Sequence, residues 1–125
     1  MRTSALIPWK SCVDMLPGEI RAGLQALYVP RQKEVANMWC LVEFGETEIA
    51  GVMRFFWRGD EWIHETGTVI RKKYRGRGIA LKLWAEAIYG LHITEVNACA
   101  VNKKGAALLG AIVREFYDIV EFNLR

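Results

Sequence analysis

Arg75-Gly76-Arg77-Gly78 carries the densest chemistry in the sequence. Two glycines let the backbone turn and let a ligand approach without a Cβ in the way. Two arginines add full positive charge. Before this run, Val69 and Ile70 read as the end of a strand. After it, Ala80, Leu83, Trp84, Ala87, Ile88 and Leu91 recur at i, i+3, i+4, i+7, i+8 and i+11, one apolar face at helical period. Lys82 and Glu86 fall on the other side, and Gly90 is the expected stop. The first N–H groups of such a helix have no partner inside it and carry partial positive charge. Strand, basic glycine turn and helix together suit a bound phosphate or pyrophosphate.

The spacing narrows the choice of cradle. A dinucleotide fingerprint would need its third glycine at Leu81, and a P-loop would need a Gly-Lys-Ser/Thr ending that is absent. Arg75-x-x-Gly78-x-Ala80 instead resembles the Q/R-x-x-G-x-G/A signature of the GNAT superfamily of N-acetyltransferases. Val69, the Tyr74-Arg75-Gly76 lead-in and the helix register that follows strengthen the likeness. Downstream, Asn102 to Leu109 followed by Gly110 and an apolar run resembles the family's next helix, loop and closing strands. Two positions depart mildly: Ala80 stands for a frequent glycine and Arg71 for a frequent proline.

The resemblance implies acetyl-CoA as co-substrate and an amine acceptor, a small molecule or a protein. It implies that N–H groups from Gly76, Arg77, Gly78, Ile79 and Ala80, with the Arg75 side chain, hold the pyrophosphate. The main chain near Val69 and Ile70 would pair with the pantetheine amides as an extra strand does. Asn102 would reach the same arm, or serve only as a helix cap. A family base is often a carboxylate on the strand before the signature, and the common offset from Arg75 reaches His64, with Glu65 beside it. Attack by an alkylamine of pKa near 10.4 needs such a base at neutral pH. His64 is attractive because an imidazole is already neutral at pH 7. In a regular strand Trp62, His64, Thr66 and Thr68 share one face, and Glu61, Ile63, Glu65 and Gly67 the other, so one of the pair faces the cleft. A bulge, with Gly67 as its expected place, would change that register. Glu61 is the third candidate. The tyrosine that many members use as general acid falls here at Leu109, and Tyr117 is a poor substitute.

The rest of the chain fits around this junction. Its 125 residues, 52% hydrophobic and 25% charged, suit a single globular domain over residues 1–125. The net charge of +3 is concentrated in Arg71 to Arg77. A local excess favours an anionic ligand over general nucleic-acid binding, which stands as a rival reading alongside a GNAT-like domain that binds acyl-CoA without turnover. Cys12, Cys40 and Cys99 are far apart, with no metal spacing, and suit free thiols in a reducing compartment. Without a signal-like start or a spanning segment, a cytoplasmic location is expected.

The expected order is β-α-β-β-β-α-β-α-β. It comprises a strand Thr3 to Trp9, a helix Pro17 to Val29, a polar connection to Asn37, and a meander of strands Met38 to Phe44, Glu48 to Trp57 and Glu61 to Ile70. A helix Gly78 to Tyr89 then crosses to a strand His92 to Val101. A short helix from Asn102 stops at Gly110, and Ala111 to Arg125 forms one or two strands. These closing strands would finish the sheet or pair across a homodimer. Trp57 and Trp62, flanking the Arg58-Gly59-Asp60 turn, are expected to pair across the strands, with the lining of an acceptor site as the other reading. The fold class is α/β: a GNAT-like mixed, mostly antiparallel sheet with helices on both faces. The resemblance adds that a parallel strand pair splays apart in the middle.

Overall fold

The computed structural model describes residues 3–125. Six strands form one sheet in the order β1-β2-β3-β4-β5-β6: β1 (Ser4–Pro8), β2 (Met38–Phe44), β3 (Ile49–Trp57), β4 (Trp62–Ile70), β5 (Glu95–Ala98) and β6 (Glu121–Leu124). The first three pairings are antiparallel; β4 with β5 and β5 with β6 are parallel. Each parallel connection carries a helix, α3 (Ile79–Gly90) and then α4 (Lys103–Phe116). A short α1 (Trp9–Cys12) and α2 (Gly18–Leu27) join β1 to β2.

Helices cover both faces, so two cores form. Cys12, Leu16, Ile20 and Leu24 pack against Cys40, Val42, Ile49 and Val52 on one face. Leu83, Trp84, Ala87, Ile88, Leu109, Ile112 and Phe116 pack against Leu41, Met53, Phe55 and Ile63 on the other. The first seven residues of β3 are buried on both sides, which is why they read as an almost unbroken apolar run. Arg54 is the lone charge in that run.

Several expectations are corrected. Trp9 belongs to α1, and Gln32–Asn37 is a turn of 3-10 helix. Gly90 is the last residue of α3, and the left-handed residue beyond it is His92, at φ 55°. The strand expected from His92 to Val101 keeps only Glu95–Ala98. Gly110 does not stop α4, which runs to Phe116 and leaves a single closing strand. Leu109, Ile112 and Phe116 explain this: they hold one buried face at i, i+3 and i+7 through the glycine. Trp57 lies opposite Ile63 and packs edge-on against Trp39 at 5.8 Å, not against Trp62.

The basic run is largely tied down. Glu19 at the start of α2 accepts from the Lys72 N–H at 2.7 Å and from Arg71 Nε at 3.3 Å. Glu48 pairs with Arg71 and Lys73 and accepts from the Tyr74 hydroxyl at 3.1 Å. On α3, Lys82 reaches Glu43 of β2 at 2.6 Å. The helix's polar side is therefore tied to the end of β2.

Ile20 is fully buried where α2 meets the sheet. Ile20→Ala removes its side chain beyond Cβ and leaves a cavity, so it should cost about 2–5 kcal/mol. Urea denaturation should show a lower midpoint at an unchanged slope.

Candidate active site

β4 and β5 pair only at Trp62↔Glu95, Ile63↔Val96 and His64↔Asn97. Beyond His64 they part, and a cavity of about 760 Å³ lies between them. His64 to Ile70 line one wall, Cys99, Asn102 and α4 the other, and α2 with Tyr28 closes one side. The expected splay is present.

The parting coincides with a bulge. Phe55 faces Glu65 and Arg54 faces Gly67, leaving Thr66 without a partner in β3. The bulge therefore sits at Thr66, one residue before the expected Gly67. It changes the faces: Thr68 joins Glu65, and its Oγ1 donates to Glu65 Oε2 at 3.0 Å. Trp84 Nε1 donates to the same Thr68 oxygen at 3.1 Å, so the Thr68 proton is directed at the carboxylate.

Glu65 is 9% exposed. Burial pushes its pKa up to about 7, against the downward pull of the Thr68 hydroxyl and the Arg54 guanidinium. His64 lies on the opposite side of β4, half-buried, edge-on to Phe56 at 5.9 Å and Trp62 at 6.4 Å. Burial and the charge of Arg125 lower its pKa, so its imidazole is neutral at pH 7. Both residues line the cavity from their two faces. Glu61 does not; it lies in a shallow depression at the other end of the strand, with Asp60, Trp62, Thr94 and Glu95.

The sequence reading missed Arg54. It is 1% exposed and has no carboxylate within ion-pair distance among the described residues. Its Nε donates to Thr66 Oγ1 at 2.8 Å and its Nη2 to the Tyr28 carbonyl at 2.7 Å. Its guanidinium lies 4.8 Å from the Trp9 ring centre. Arg54 thus ties the bulge to the C-terminal end of α2, where the helix dipole favours a cation. The available signal was its solitude in Ile49–Trp57.

At the far end of the cleft, Gly76 and Gly78 take φ of 78° and 74°, in the left-handed region. Gly78 is the N-cap of α3 and meets no atom within 4 Å of where a Cβ would stand. The N–H groups of Gly78, Ile79, Ala80 and Leu81 make no hydrogen bond to any described residue. Arg77 lies over the Tyr74 ring at 5.3 Å, and Arg75 Nε donates to the Ile70 carbonyl at 3.1 Å. Arg75, Val69, Ile70 and Asn102 line the cavity; Gly76 to Ala80 do not. The Arg71 N–H donates to the Ala50 carbonyl, so strand alternation turns the backbone of Ile70 and Thr68 to the open edge and that of Val69 to β3. Asn102 caps α4, accepting from the Gly105 N–H at 2.8 Å. Leu109 lines the cavity, and Tyr117 is exposed at the end of α4, away from it. An open cradle of unpaired N–H groups, arginines and a free strand edge fits a pyrophosphate followed by an amide-bearing arm.

The model of the family described as Acetyltransferase (GNAT) family matches residues 9–107, and the chain belongs to that family. The fold agrees with solved structures. A ribosomal-protein-alanine N-acetyltransferase from Brucella melitensis biovar Abortus 2308 aligns at TM-score 0.62 and 16% identity, over 87% of this chain and 89% of that one. An IAA acetyltransferase from Bacillus cereus ATCC 14579 aligns at TM-score 0.63 and 14% identity, over 90% and 73%. An aminoglycoside acetyltransferase from an uncultured soil metagenomic sample, in complex with sisomicin, aligns at TM-score 0.61 and 15% identity, over 86% and 83%. At these identities the likeness is one of fold. No curated protein matches the chain.

Glu65 also sets a pH dependence of stability. A carboxyl whose folded pKa is raised stabilises the fold below its unfolded value near 4.3, and that contribution is lost as the pH rises through about 7. Glu65→Gln removes the cost of a buried charge. It should be more stable than the parent at about pH 8, by roughly 4 kcal/mol at most, and no more stable at about pH 4. Urea midpoints at the two pH values test this.

Proposed function

We propose that the protein transfers an acetyl group from acetyl-CoA to an amine acceptor by direct attack, with Glu65 as general base. The observation that supports this most is Glu65 itself: a buried carboxyl in the wall of the cleft, with its pKa pushed up to about 7. A base works best with a pKa near the working pH. Glu65 takes a proton from the acceptor ammonium and frees the nitrogen lone pair. The C–N bond then forms and the thioester C–S bond breaks; the nitrogen sheds its second proton to the departing thiolate through water, and Glu65 returns the first to solvent. Thr68 and Trp84 fix the orientation of the carboxylate, and Arg54 holds the bulge that presents it. His64 borders the acceptor side as a neutral imidazole.

Acetyl-CoA supplies the activated acyl group. The N–H groups of Gly76 to Ala80, with Arg75 and Arg77, would hold its pyrophosphate. The free edge at Thr68 and the Ile70 N–H would pair with its amides, the Ile70 carbonyl being held by Arg75. With Leu109 at the wall, the thiolate leaves without a side-chain acid from that position, which its modest basicity allows. The same leucine favours a second reading, a domain that binds acyl-CoA without turnover. Binding of nucleic acid is the weakest alternative, because Glu19 and Glu48 already engage Arg71 and Lys73.

Calorimetry should show one saturable site for acetyl-CoA, much tighter than for ATP. Gly78→Val should abolish it, since valine is strained at φ 74° and its side chain would fill the cradle. Glu65→Gln should keep acetyl-CoA affinity and lower kcat about 10²–10⁴-fold. It should also remove the rise of kcat/KM with pH through about 7. Binding without turnover in both parent and variant would favour the second reading.

A further inference from the structure

We infer that the acceptor is a small amino-carboxylate with an apolar body, its carboxylate held by Arg125, and that polycationic amines are poor acceptors. The inference rests on the acetyltransferase reading and names the substrate class of that site. Arg125 follows β6, and its N–H donates to the Ala98 carbonyl at 3.1 Å, which continues the β5–β6 register. Since His64 lies opposite Asn97, Arg125 stands about level with Glu65 and Thr66, where the strands part. Arg125 lines the cavity, and its charge acts on His64. Among the described residues the guanidinium makes no hydrogen bond or ion pair.

The cradle for phosphate does not account for Arg125. That cradle begins beyond Ile70, about 13 Å further along β4 from Thr66 at ~3.3 Å per residue. Arg125 is thus a cation beside the point of transfer. The other charges there reinforce it. Glu65 is the only carboxylate side chain in the cavity wall among the described residues, and it is committed to the reacting nitrogen. Glu34 lies near enough to act on His64, but the Tyr28 hydroxyl (2.7 Å) and the Arg31 N–H (2.7 Å) hold it. Lys104 adds positive charge. An acceptor with several ammonium groups would meet Arg125 and Lys104 and find no second carboxylate side chain in the wall among the described residues. One amine for Glu65, one acid group for Arg125, and an apolar body against Ala26, Leu27 and Tyr28 satisfy every group present.

The test compares amino acids with their decarboxylated partners, tyrosine with tyramine and leucine with isoamylamine, alongside spermidine and kanamycin, each with acetyl-CoA. At least one amino acid should exceed its partner in kcat/KM by about 10- to 100-fold, the worth of one charged hydrogen-bonded contact. Arg125→Met should narrow that gap. The loss should fall on KM, because the contact binds substrate and transition state alike. Arg125→Lys should restore part of it, which a merely structural role would not predict. Spermidine, kanamycin or the decarboxylated amines used as well as the amino acids would overturn the inference. So would acetyl-CoA binding with no amino acid acetylated, or an unchanged KM in Arg125→Met. Failure to bind acetyl-CoA would instead bring down the acetyltransferase reading, and the inference with it.

Discussion

One extra residue in one strand shapes this molecule. Were Thr66 paired in a regular ladder, Glu65 and Thr68, three residues apart, would point to opposite faces. With Thr66 bulged, the strand bends just where its pairing with β5 ends. The bend opens the cleft and sets a hydroxyl against the carboxylate. The bulge is held from beneath by Arg54, whose guanidinium joins the bulged residue to the end of α2. A cation buried without a carboxylate partner is costly. Carbonyls at a helix C-terminus and the face of Trp9 offset that cost.

Arg54 and Glu65 together make an electrostatic balance. Burial pushes the carboxyl pKa up; the Thr68 hydroxyl first, and then the guanidinium on the other face of the sheet, draw it back to about 7. Their separation matters. A direct ion pair would have left Glu65 a strong acid and a poor base. A partner acting at a distance, through the sheet, leaves it near neutrality. The strand thus carries two opposite charges on its two faces, each held by a different helix layer.

Much of this was legible in the residues. The α3 register, the meander of β2 to β4 and the Arg75-x-x-Gly78-x-Ala80 turn follow from local chemistry, because periodicity and turn residues act within a few positions of themselves. The bulge was expected but misplaced, since its position depends on Arg54 meeting α2, a contact between segments 26 residues apart. The same holds for Trp57, whose partner Trp39 belongs to a different strand from the one expected. α4 was cut short because Gly110 reads as a stop and Ile112 and Val113 as strand. Burial of Leu109, Ile112 and Phe116 on one face overrides both. Arg54 was passed over because a sequence shows that a charge is lonely without showing what surrounds it.

β5 and β6 hang on the rest of the sheet by a ladder three residues long. Beyond it, β4 offers backbone groups with no strand beside them. Any extended molecule that pairs there completes the sheet from outside the chain and braces its two halves against each other. Ligand and fold then become one cooperative unit: at a hundredfold excess over Kd, occupancy adds about 2.7 kcal/mol to unfolding. The cleft is in this sense an unfinished rung, and the molecule that fills it acts as part of the architecture for as long as it stays.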